Sequence, residues 1–138
     1  MVAMVMINWD INLKTGVEIV DDQHKKLVDL VNRLYDAMIG GRGNQVLGQI
    51  LTELVDYTVY HFKTEEDMFR QYGYREAAQH IQEHKDLTEK AVALKAAFDG
   101  GKATITLDTM NFLKDWLVNH IMKSDKQFGP FLNSKGVK

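Results

Sequence analysis

Apolar residues recur at intervals of three and four through most of the chain, the period of a helix with one face turned inward. Four such stretches are set off by short breaks. The first opens at Asp21-Asp22, acids suited to the positive end of a helix, and carries Leu27, Val28, Val31, Leu34, Tyr35 and Met38 as far as Gly40-Gly41. The second should run from about Gln45 to Tyr72, with Leu47, Ile50, Leu51, Leu54, Val55, Thr58, Phe62, Met68 and Phe69 forming its stripe until Gly73. A third, from about Arg75, carries Ile81, Leu87, Val92, Leu94 and Phe98 to Gly100-Gly101, and a fourth spans about Leu107 to Lys123.

The predicted helices are therefore 21–39, 45–72, 75–98 and 107–123, with an N-terminal arm over 1–20 and a tail over 125–138 that packs or frays. Short connections favour antiparallel neighbours. The expected fold is all-α, an up-down-up-down antiparallel four-helix bundle forming one domain over 1–138. Ala103-Thr104-Ile105-Thr106 reads as a linker, since an isolated strand cannot satisfy its backbone, and Thr106 is placed to cap the fourth helix.

Composition narrows what such a bundle can do. With 17 basic and 19 acidic residues the net charge is −2, which gives no pull toward nucleic acid or an anionic membrane. The absence of cysteine removes disulfides, iron–sulfur clusters, c-type haem attachment and thiolate zinc sites, so any metal must be held by nitrogen and oxygen. No stretch approaches the ~20 apolar residues that span a bilayer, and the apolar Met1–Ile7 opening lacks a basic n-region and a cleavage site. A cytoplasmic location without membrane insertion is expected. The methionines of that opening read as apolar packing rather than as a soft copper site.

The chemistry lies in the histidines. His24 falls in the first helix, His61 in the second, His80 and His84 in the third and His120 in the fourth. Glu65 follows His61 by four residues, about 40° round the helix, so both side chains point the same way. Glu66, turned by about a further 100°, reads as surface charge. His80 and His84 repeat the four-residue spacing and place two imidazoles on one face, as chelation requires.

This order of motifs resembles the bacterial hemerythrins: a His, then His-x3-Glu, then His-x3-His, then His-x4-Asp along four helices. Here these are His24, His61 with Glu65, His80 with His84, and His120 with Asp125. The flanking Asp21-Asp22-Gln23-His24-Lys25 and Phe112 to Ile121 segments, with Trp9 and Gly16, extend the resemblance over nearly the whole chain.

The resemblance implies two iron ions, cycling between Fe2+ and Fe3+ and sharing an oxo or hydroxo bridge, that bind dioxygen reversibly for storage, transport or delivery. It places His80, His84 and His120 on a saturated iron and His24 and His61 on the iron with an open position, with Glu65 and Asp125 bridging. Coordination arithmetic agrees, because two octahedral ions need about twelve bonds and these residues with a shared oxygen supply about eleven. Asp125 lies five residues beyond His120, about 140° off on an ideal helix, so the fourth helix should end or loosen near Ser124. Leu27, Phe62 and Leu117 are nominated as the apolar wall of the open position.

Several rivals compete with this reading. His80-Ile-Gln-Glu-His84 also fits the His-x-x-Glu-His of inverted zinc metallopeptidases, but that leaves His24, His61, Glu65 and His120 unused and has no room for a peptide cleft. Glu83 is instead expected to face solvent or to support a ligand. The same ligands could serve a redox enzyme acting on peroxide, nitric oxide or nitrite, or an oxygen sensor acting on a partner, although no signalling domain is attached. Storage of a mineral lacks a cavity. The chain is read as an oxygen binder and not an enzyme, with dioxygen as its ligand and an oxygen-consuming enzyme or a reductase as protein partner.

Overall fold

The computed structural model of the chain describes residues 6–9, 11–102 and 104–138. Expectations placed on Met1, Met4 and Ala103 lie outside the described residues. Among the described residues the chain forms a short 3-10 turn, Ile11–Leu13, followed by helices α1 (Glu18–Ile39), α2 (Asn44–Tyr72), α3 (Ala77–Asp99) and α4 (Leu107–His120). A π turn over Ile121–Asp125 then leads into a further helix, α5 (Lys126–Ser134).

The boundaries follow from local chemistry. Gly73, in the left-handed conformation at φ 69°, ends α2, and its N–H returns to the Phe69 carbonyl. Thr106 caps α4 as expected, within a reciprocal box in which each of Thr106 and Thr109 accepts from the other's backbone N–H at 3.3 Å. Two expectations are corrected. The arm expected over 1–20 is shorter: α1 begins at Glu18, because Asp21 turns back to accept from Thr15 N (2.7 Å), Thr15 Oγ1 (2.8 Å) and Gly16 N (3.3 Å). The residues read as a tail form α5, because Phe128 and Leu132 are buried against the bundle.

Short turns at 40–43 and 73–76 make α1, α2 and α3 successive antiparallel neighbours, and α4 returns beside α1. Trp116 of α4 closes the ring by donating its indole N–H to the Leu87 carbonyl of α3 at 3.2 Å. The result is an all-α four-helix bundle.

Its apolar interior is divided in two. A larger cluster, including Leu27, Leu34, Leu51, Leu54, Met110 and Leu113, fills one end of the bundle. A smaller one, built from Val17, Val20, Phe69, Tyr74, Phe128 and Leu132, fills the other. Its aromatic rings pack closely, Phe69 edge to face on Phe128 with centroids 4.5 Å apart and Tyr74 tilted against Phe128 at 4.9 Å. On α1 and α2 the histidines fall between residues of the two clusters, His84 of α3 falls between Ile81 of the smaller and Leu87 of the larger, and His120 ends α4 ahead of Phe128 and Leu132 of the smaller, so a polar layer crosses the bundle between two apolar ones.

Candidate metal centre

All seven predicted ligands lie in that layer and all are buried, with His24, His61, Glu65 and Asp125 at 0% exposure. The four-residue spacing of His61 and Glu65 on α2, and of His80 and His84 on α3, points each pair inward. His24 enters from α1 and His120 from the last turn of α4.

Asp125 reaches the same layer because the helix loosens where expected. Over Ile121–Asp125 the winding is π, with the Lys126 N–H bonded to the Ile121 carbonyl, five residues back. Five residues then take nearly the angular span of one α turn, and the 140° discrepancy of regular winding is absorbed.

The donor atoms sort into two groups. Glu65 Oε1 and Asp125 Oδ1 face His80, His84 and His120. Their Nε2 atoms lie 2.9 Å (His80 to Asp125), 2.9 Å (His84 to Glu65) and 3.2 Å (His120 to Asp125) from those oxygens. The other oxygens of the same carboxylates face His24 and His61, with His24 Nε2 at 2.7 Å from Asp125 Oδ2 and His61 Nε2 at 3.7 Å from Glu65 Oε2. Each carboxylate therefore divides its two oxygens between a three-imidazole position and a two-imidazole position. Within each group the donor atoms lie within 4.8 Å of one another. That is the scale of an octahedral ion, whose cis ligands stand about 3 Å apart when its bonds are ~2.1 Å.

A hydrogen-bonded polar core would look different. The Nε2 atoms of all five imidazoles and all four oxygens of Glu65 and Asp125 are buried, yet none has a well-formed hydrogen bond among the described residues. So many orphaned donors and acceptors in one layer have no place in a stable interior unless a cation takes their lone pairs. The residues present fit a pair of metal ions.

The outer ring nitrogens are held from behind. His61 Nδ1 lies 2.7 Å from Gln23 Oε1, His84 Nδ1 lies 3.0 Å from Glu66 Oε2, and His120 Nδ1 lies 2.6 Å from Glu83 Oε1. Ser124 Oγ donates to the other Glu83 oxygen at 2.6 Å. Glu83 thus supports a ligand, one of the two roles expected of it. Glu66 is a correction: the 100° that carries it away from Glu65 points it at α3 rather than at solvent, and it seats His84. Gln23 was missed. The only signal for it was its place beside His24, which turns it toward α2.

Electrostatics keep two of the imidazoles neutral. Burial first, and then the neighbouring His120 and His80, push His84 down to about 2. Burial and the adjacent His24 likewise hold His61 well below the ordinary imidazole range. Glu65 is pushed well above the usual carboxyl range by burial and by Asp125 beside it. Burial also opposes the charge on Asp125 and on His120, but their mutual attraction holds Asp125 low and His120 high. Side chains alone must share protons to lie this close, and a divalent cation would replace those protons.

The three nominated wall residues are buried as well, Leu27 at 1%, Phe62 at 5% and Leu117 at 3%. Phe62 stacks on His84 with centroids 3.9 Å apart and planes 5° from parallel, and meets His120 edge-on at 5.4 Å.

Comparison with known proteins bears on the same residues. The family model of the hemerythrin HHE cation binding domain matches residues 15–132. A protein named bacteriohemerythrin from Methylococcus capsulatus is 40% identical over 132 residues, covering 95% of this chain and all of that one. A hemerythrin-like protein from Naegleria gruberi is 36% identical over 121 residues, covering 88% of this chain and 89% of its own. A crystal structure described as wild-type hemerythrin superposes with a TM-score of 0.87 at 40% identity, covering 93% of this chain and 98% of that one.

Proposed function

The chain belongs to the hemerythrin family, and from that premise we propose that it binds dioxygen reversibly at a non-haem di-iron centre, as an oxygen storage, transport or delivery protein and not as an enzyme. The observation that carries the reading is the division of Glu65 and Asp125 between three imidazoles on one side and two on the other. Iron bound there in two positions would supply two electrons and one open coordination site for a small ligand.

The protein's own residues do the rest. His80, His84 and His120 would hold one ion and His24 and His61 the other, each through Nε2, with Glu65 and Asp125 spanning both. Leu27 and Leu117 would keep water from the two-histidine side, where a stray proton would convert reversible uptake into irreversible oxidation, and Phe62, packed on His84 and His120, would close the three-histidine side. Gln23, Glu66 and Glu83 fix the planes and tautomers of the imidazoles behind them. A donor set of five imidazole nitrogens and two carboxylates is less anionic than the carboxylate-rich sites built from Glu-x-x-His motifs, which favours binding over onward oxidation. An oxygen-consuming enzyme or a reductase is the protein partner this role requires.

The test is an anaerobic optical titration of the reduced, iron-loaded protein. Charge-transfer bands that appear with oxygen, vanish on degassing and return with air are the expected result. Prompt oxidation that degassing does not reverse would replace the carrier with a redox enzyme.

A further inference from the structure

The two positions are supported unequally. Behind the three-histidine position stand two carboxylates, Glu83 against His120 and Glu66 against His84. Behind the two-histidine position stands a neutral amide, Gln23, whose own Nε2 is tied to Thr64 Oγ1 at 3.3 Å. The remaining imidazole there, His24, is fully buried, and its Nδ1 has no hydrogen-bond partner among the described residues.

These differences bear directly on metal affinity. An imidazole that ligates through Nε2 carries its proton on Nδ1, and a carboxylate accepting that proton makes the ring a stronger donor. An amide oxygen does so less, because it bears no charge. A buried N–H without an acceptor, as at His24, weakens the ligating form outright. Donor number and outer support therefore point the same way.

Resting on the di-iron reading above, we infer that the two ions are held with different strengths. The three-histidine position fills first and retains its ion, and Gln23 keeps the two-histidine position the exchangeable one. Gln23 acts as a positioning residue through His61. One consequence is a one-iron form under metal limitation, with the surviving ion on His80, His84 and His120.

Equilibrium competition tests this on the full chain loaded anaerobically with ferrous iron, using a ferrous chelator of known affinity and elemental analysis of what stays bound. Wild type should start at two irons per chain and lose them in two steps of one iron each, at chelator concentrations at least ~10-fold apart. Glu83→Gln should shift only the tighter step, by about 10- to 100-fold toward easier loss. Gln23→Glu, which is isosteric, should shift only the weaker step toward tighter retention. A fold-wide disturbance would move both steps, and circular dichroism of each variant checks the helices separately. Two irons leaving in a single step, or Gln23→Glu moving the tighter step, overturns the inference while the di-iron reading stands. Fewer than two irons in loaded wild type overturns both.

Discussion

At the scale of single residues, the site is a set of lone pairs that only a cation can satisfy, so removing one donor should cost metal as well as stability. His61→Ala or Glu65→Ala should lower iron per chain below two and lower the thermal midpoint, read by elemental analysis and calorimetry. Unchanged stoichiometry would contradict the ligand assignment. Phe62→Ala removes the ring stacked on His84. It should cost about 3 to 5 kcal/mol in denaturant unfolding and hasten irreversible oxidation in air, as water gains the wall.

Acid should release the iron. With His84 held down to about 2 and His61 also depressed, the unfolded chain binds protons these rings refuse, from that value up to the ordinary ~6.5. Their contribution to stability is present above pH ~6.5 and lost as pH falls through this window, so iron retained against pH should show a midpoint below ~6.5. A midpoint above that value would contradict it. The ligands themselves were legible in sequence because His-x3-Glu and His-x3-His obey the helical period. Glu66 and Gln23 were not, because a residue beside a ligand points at whichever helix packs next to it, and only the assembled bundle says which helix that is.

At the scale of elements, the π turn is a residue of surplus. Five residues between Ile121 and Asp125 occupy the span that four take in regular winding. Deleting the exposed Lys123 should therefore return the segment to α pitch, leave Asp125 four positions after His120, and preserve nearly two irons per chain. Deleting the equally exposed Lys63 from regular α2 should swing Glu65 round by about 100° and abolish bridging. Iron content distinguishes the two. Sequence spacing announced this irregularity, since a ligand at five residues does not fit a straight helix. It did not announce α5, whose apolar Phe128 and Leu132 are too few, and too close to Gly129-Pro130, to stand out as a helical period. Nor could it place Gly129, where a Cβ would collide with the Thr15 carbonyl. Gly129→Ala should force α5 off the arm and cost about 1 to 3 kcal/mol in a thermal or denaturant melt.

At the scale of the whole molecule, the polar layer separates a large apolar cluster from a small one, and every long helix passes through it. The small cluster consists mainly of α5, the start of α1 and the Phe69–Tyr74 corner, and its few rings can bury little by themselves. Asp125 ties the α5 side of this cluster to the layer, because it joins the π turn to both sets of histidines. Iron would then act as the mortar between two unequal halves of one protein. Chelation should turn a single cooperative melt into partial opening, in which the amides of α5 exchange hydrogen at least ~10-fold faster while those near Leu51 and Leu54 stay protected. Loss of the metal would thus be visible from outside: the loosened C-terminal helix offers proteases an entry point, and the lifetime of the chain in a cell would come to report its iron supply.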